Sequence, residues 1–137
     1  MADPVPVYEK QYHVGLGDVD FQKKLKISAL FNFFQDIASL HAEDLGVGID
    51  RLMNGYGVTW VLTRIRVDIN RMPHLGEDII IETWPQLPKR LEFDRDFKVR
   101  DSSDNILALA ASTWIILDIG TRELKKTEAI PINYPFN

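Results

Sequence analysis

The sequence predicts an α+β domain in which one long helix is wrapped by a curved, five-stranded antiparallel sheet. Three observations point there. Apolar residues recur at helical spacing in one stretch, Ser28 to Leu45; β-branched and aromatic residues crowd almost everything after Gly57; and the order strand, long helix, four strands rules out alternating βαβ units. No segment repeats and no low-complexity linker appears, so the 137 residues read as one domain with a core over 7–124 and a tail over 125–137.

The first strand is expected in VYEKQYHV, Val7 to Val14, where Tyr8, Tyr12 and Val14 alternate with Glu9, Gln11 and His13 before the GLGD break. The helix follows. Leu30, Phe34, Ile37, Ala38, His41 and Leu45 recur on one face, with Ser28 as the expected N-cap and Gly46 as the stop. Phe33 and Leu40 widen the apolar arc beyond a simple stripe, which is why the partner surface has to curve around the helix. Four strands are then expected in VTWVLTRIRVDIN, DIIIETW, LEFDRDFKV and ILALAASTWIILDI. Pro73 and Gly76, Pro85 and Pro88, and the polar loop DSSDN separate them, the last as a hairpin. The tail from Lys125 carries two prolines without periodicity and reads as a terminal strap or a linker.

Composition narrows the function. The chain is 45% hydrophobic and 26% charged, enough for a real core. It has no cysteine, so neither a disulfide nor a thiol nucleophile is available. No apolar run approaches a membrane span and MADPVPVYEK lacks a signal-peptide core, so a cytoplasmic location is expected, with no membrane partner. A net charge of −4 argues against general nucleic-acid binding, although QKKLK gathers Lys23, Lys24 and Lys26. The three histidines, His13, His41 and His74, lack ligand spacing; there is no G-x-S-x-G, and no dinucleotide loop. No metal or other cofactor is expected.

The stretches DVDFQKKLKISALFNFFQDIASLHAEDLG, WVLTRIRVDINRMPHLGEDIIIETWP, RDFKVRD and STWIILDIGTREL together resemble the fatty acyl-ACP thioesterases, over roughly Tyr8 to Leu124. The resemblance is to the first of that family's two hotdog domains, the half associated with acyl-chain selection, and it implies the hotdog fold. The family's Asn-x-His pair belongs to the second domain and is absent here. Two readings follow from it: a homodimer that hydrolyses acyl-ACP or acyl-CoA, or a noncatalytic acyl-binding or ACP-docking module, half of a two-hotdog enzyme.

GDVDFQKKLKI is also similar to single-hotdog acyl-CoA thioesterases of the 4-hydroxybenzoyl-CoA type. That likeness implies a hydrolytic role for Asp20 and a thioester carbonyl held by the backbone N–H groups of Ile27 and Ser28, although FQKK replaces the small residues those enzymes favour. A helix N-terminus can stabilise an oxyanion without side chains, so one loop acid suffices for a minimal site. With Asp18 nearby in a Gly-rich stretch, Asp20 reads almost equally well as a turn former. Lys23, Lys24 and Lys26 are expected to meet the carrier's phosphate-bearing arm, or else to be a solvated loop.

Other residues invite both functional and structural readings. His41 falls at the centre of the apolar arc and is expected to be buried, neutral and structural. Asn32, Gln35 and Asp36 lie on the other arc; the resemblance to a hotdog dimer implies contact with substrate or partner for them, which the family's helix motif supports for Asn32 and Gln35, against a solvated polar face. Arg95 shares strand phase with Leu91, Phe93, Phe97 and Val99, so it points inward and needs a partner, expected to be a helix or loop carboxylate. Trp60, Trp84 and Trp114 read as core or interface, with Trp60 the candidate for lining an acyl tunnel.

Overall fold

The computed structural model describes residues 4–131. The chain runs through β1 (Tyr8–His13), α1 (Ile27–Asp44), α2 (Ile49–Tyr56), β2 (Val58–Ile69), β3 (Asp78–Pro85), β4 (Phe93–Asp101), β5 (Ile106–Asp118) and β6 (Leu124–Lys125). The strands form one curved antiparallel sheet in the order β1-β3-β4-β5-β2. β6 is a short sixth strand on the flank of β5, at Ile116 and Leu117, beyond the last β4 pairing at Trp114. The long helix packs against this sheet as expected.

Alternation explains the contact. In β4, Phe93, Arg95, Phe97 and Val99 are buried while the residues between them are partly exposed. They meet the buried face of α1, formed by Ala29, Leu30, Phe34, Ile37, Ala38 and His41. The Phe34 and Phe97 rings lie 4.5 Å apart. Each aromatic or aliphatic side chain so buried contributes about 1.5–3 kcal/mol.

β2 keeps this phase only by breaking it. Its register against β5 shifts between Leu62 and Arg64, leaving Thr63 as the extra residue, and Thr63 Oγ1 donates a hydrogen bond to Thr113 O at 3.0 Å. Without the bulge, two-residue alternation from Trp60 and Leu62 would turn Arg64 and Arg66 toward the helix. With it, Ile65 and Val67 pack on the core and the arginines stay outside.

The helix begins differently from expectation. Lys26, not Ser28, is the N-cap, with extended backbone and no side-chain cap. Lys26 N–H donates to Asp18 O at 2.8 Å and Leu30 N–H donates to Lys26 O at 3.0 Å, so the preceding loop fixes the helix start and Ser28 falls inside the first turn. The end is as expected: Gly46 takes φ +81° and Val47 N–H returns to Ala42 O at 2.9 Å. The DSSDN hairpin also forms, with Asp101 Oδ1 accepting from the backbone N–H groups of Ser103 and Asn105.

Two features lie beyond the sequence reading. Residues 47–56, given no element there, contain α2, held by the buried Leu52 against Val58, Ile116 and Ile130. The tail folds back as β6 and a 3-10 turn at Thr127–Ala129, burying Ile130, so packed structure continues past 124. The remainder of the expected strap, 132–137, lies outside the described residues.

Candidate functional site

A pocket of about 470 Å³ opens beside the second half of α1. Gln35, Ala38, Ser39 and Ala42 form the helix wall, Thr59 to Leu62 of β2 the opposite one, and Phe93, Arg95 and Trp114 the floor, with Val47 just before α2 and Ile49 at its start. Small residues on α1 leave the space, because Ala38 and Ala42 sit one turn apart on the helix side that faces β2.

The two indoles are tied off at their polar ends. Trp60 Nε1–H donates to Val47 O at 2.9 Å, and the ring packs edge-to-face on Phe93 at 4.8 Å. Trp114 Nε1–H donates to Ser112 Oγ at 2.9 Å, and Ser112 Oγ–H in turn donates to Arg95 O at 2.9 Å. Each ring thus satisfies its donor and leaves apolar surface for the pocket.

Arg95 is the polar element in the floor. It is 9% exposed, and Nη1 donates to His41 Nδ1 at 2.8 Å and to Thr83 Oγ1 at 3.1 Å. Since His41 Nδ1 accepts, Nε2 carries the proton and donates to Val5 O at 2.7 Å. Val5 N–H donates to Asp44 Oδ2 at 2.9 Å, so the N-terminal segment is clipped to α1 at two points. Burial pulls the His41 imidazole down to about 4, partly offset by the bond to Val5 and reinforced by the Arg95 charge. His41 is a neutral, structural histidine, as expected. The sequence shows the inward arginine and the buried histidine separately; their mutual hydrogen bond is visible only in three dimensions.

The other anticipated residues divide. Gln35 and Trp60 line the pocket. Asp36 faces β1 instead, accepting from Lys10 Nζ at 2.8 Å and Tyr12 OH at 2.6 Å, and Lys10 with Tyr12 holds its carboxyl below the usual range. Asn32 is exposed and lies outside the pocket wall. Asp20 sits on a small hairpin closed by a Val19–Leu25 bridge, where its Oδ1 accepts from Gln22 N–H at 2.8 Å and Lys24 N–H at 3.1 Å. That is the work of a turn former. Ile27 and Ser28 open α1 ahead of its first backbone bond, so their N–H groups make no intrahelical bond, and α1 rises about 15 Å between Ser28 and Ala38. Loop acid and pocket therefore occupy different stretches of one helix flank.

Among the described residues, no group of three or more His, Asp or Glu is placed to hold a metal ion, and no helix is long and apolar enough to cross a membrane.

Residues 6–130 match the model of the acyl-ACP thioesterase N-terminal domain. The chain belongs to the acyl-ACP thioesterase family. It is 27% identical over 125 residues to the chloroplastic oleoyl-acyl carrier protein thioesterase of Coriandrum sativum, covering 87% of this chain and 34% of that one. An acyl-ACP thioesterase from Bacteroides thetaiotaomicron superposes with a TM-score of 0.88 at 29% identity, over all of this chain and 56% of the other. The 1,4-dihydroxy-2-naphthoyl-CoA thioesterase Slr0204 from Synechocystis shares the fold, with a TM-score of 0.78 at 12% identity over 88% of this chain and 89% of that one. The hotdog architecture is thereby established. The chain spans about a third of the length of the curated relatives it matches, and its pocket lies wholly within the residues matched by the N-terminal domain model.

Proposed function

We propose that this chain is an acyl thioester hydrolase that takes a fatty acyl group from acyl-ACP or acyl-CoA and lays the acyl chain in the pocket beside α1. The observation that carries this reading is the pocket itself, walled by alanines, Phe93 and two indoles whose donors are already satisfied. Such a lining is predominantly apolar and favours a hydrocarbon chain, with Gln35, Ser39 and Arg95 among its few polar members.

In this reading Asp20 activates water or attacks the thioester, and the N–H groups of Ile27 and Ser28 receive the oxyanion. Asp20 Oδ1 is committed to the turn, so Oδ2 is the atom left for chemistry. Because loop and pocket are separated along α1, the working site combines the loop of one copy with the pocket of another in a homodimer. The open edge of β2, a twelve-residue strand bonded on one side only among the described residues, supports that association.

One finding favours a second reading. The chain covers only 56% of the Bacteroides structure, and Asp20 already has a structural task, which suits an acyl-binding half that works with a second hotdog domain. Thioesterase assays on this chain alone, across acyl lengths and on both carriers, separate the two: hydrolysis supports the first, and acyl-carrier binding without hydrolysis the second.

A further inference from the structure

The second helix is attached to the rest of the chain by one buried side chain. In α2 only Leu52 is buried, packed with Val58, Phe93, Ile116 and Ile130. Among the described residues, no α2 side chain forms a hydrogen bond or an ion pair with the rest of the protein, so Leu52 alone holds the body of the helix. Both ends turn on glycine. Gly46 takes φ +81° just before the N-cap, Gly48, and Gly57 closes the helix at φ +65°, in a region where glycine changes conformation at least cost.

The helix packs on the margin of its apolar face rather than on the centre. At about 100° per residue, Leu52, Tyr56, Ile49 and Met53 fall in that order across one arc of about 100°. Leu52 is fully buried at one margin, whereas Tyr56, Ile49 and Met53 are 40%, 48% and 47% exposed. The pocket adjoins this exposed part. Ile49, in the middle of the arc, is also one of the residues lining the pocket, and Trp60 ties the segment just before α2 to β2 through its bond to Val47 O. A helix that serves only as an interface with a second copy has no need of a glycine at each end. A hydrocarbon chain in the pocket, in contrast, meets the arc at Ile49, and a helix able to pivot brings Met53 and Tyr56 onto it.

We propose that α2 is a lid on the pocket. A long acyl chain that reaches the end formed by Val47 and Ile49 draws α2 inward about Leu52, and Met53 and Tyr56 then complete the apolar wall. Chains that stop short of Ile49 leave the lid open. This deepens the reading that the pocket takes an acyl chain, and rests on it; it concerns closure over the chain and not hydrolysis.

The protein has no cysteine, so an engineered one reports alone. In Met53→Cys the rate of alkylation by iodoacetamide is measured on the full chain with and without saturating palmitate, and ligand entry is followed separately by quenching of indole fluorescence, since Trp60 and Trp114 line the pocket. Palmitate should slow alkylation about tenfold or more, and hexanoate should leave it unchanged. Asn54→Cys, on the opposite side of the helix, should react at one rate throughout. A second arm locks the hinge: a Cβ built on Gly48 lies 3.5 Å from Glu43 Cβ, within the range of about 3.5–4.5 Å that a disulfide spans. The double variant Glu43→Cys, Gly48→Cys should bind palmitate about tenfold more weakly when oxidised than when reduced, with hexanoate unaffected. Recovery on reduction separates locking from misfolding.

Palmitate that quenches the indoles without protecting Met53→Cys overturns the lid, as does an oxidised double variant that binds palmitate as the reduced one does. Protection that rises with protein concentration in the absence of ligand assigns the face to a second copy and overturns it too. No quenching by either fatty acid removes the pocket reading and the lid with it, whereas palmitate-dependent protection in a chain that cleaves no thioester keeps the lid and loses only the hydrolase reading.

Discussion

Arg95 and His41, fifty-four residues apart, form a buried hydrogen bond of 2.8 Å in which a guanidinium donates to a neutral imidazole. The pair needs His41 unprotonated, since an imidazolium has no acceptor to offer and would place two cations side by side. Stability should follow. The folded histidine is held at about 4 against 6.5 ordinarily, so the unfolded chain binds the proton first as pH falls. Full stability is expected above about pH 6.5, with a loss of roughly 3 kcal/mol on acidification toward pH 4. Asp36 and Glu77, held low by Lys10 and Arg71, add their losses only at still lower pH. Denaturant titrations of wild type and His41→Gln across this range check it; an acid limb equally steep in both would contradict the assignment.

Asp20→Asn should leave the fold intact, because an amide oxygen accepts the two turn hydrogen bonds as a carboxylate does. Turnover is expected to fall about a hundredfold or more if Asp20 performs the chemistry. Kinetics beside a thermal melt of the same variant give the answer, and full activity with an unchanged melt would reduce Asp20 to its turn.

Ala42→Phe should fill the pocket without touching the loop. Long acyl chains are expected to lose tenfold or more in kcat/KM while short ones are largely spared, since the new ring occupies space between α1 and β2. A chain-length series on wild type and variant measures this. Equal losses at every length would mean that the acyl group lies elsewhere.

Association through β2 should make the chain a dimer at micromolar concentration. Sedimentation velocity is the direct measurement, and a stable monomer would favour the half-enzyme reading over a self-sufficient one.

Gly46→Ala isolates a backbone effect. Nothing stands within 4 Å of the added methyl, so the whole cost is φ +81°, about 1 kcal/mol. A two-state chemical denaturation curve resolves a change of that size, and no change would show that the helix end relaxes.

The sheet was legible because alternation is local: Phe93, Arg95, Phe97 and Val99 announce one face without reference to any other strand. The bulge leaves a local trace too, in the phase break from Trp60 and Leu62 to Ile65 and Val67. α2 was harder to see because eight residues with one buried side chain carry little period. The helix start was misplaced by the usual preference for a serine cap, which here yields to the tie between Lys26 and Asp18. The pocket is the least legible part. Its walls come from α1, β2, β4 and β5, and only the strand order brings Trp60 beside Phe93.

The clip at Val5 bears on how shortened forms of the protein behave. Its carbonyl is the acceptor for His41 Nε2–H, and its N–H meets Asp44, so a cut that removes Val5 strips a partner from a donor on a fully buried ring. Affinity tags joined ahead of residue 4 respect that arrangement. A protease site engineered to trim the chain back to Pro6 instead leaves His41 Nε2–H without that acceptor, and the loss reaches the floor of the pocket through the bond that Arg95 makes to the same ring.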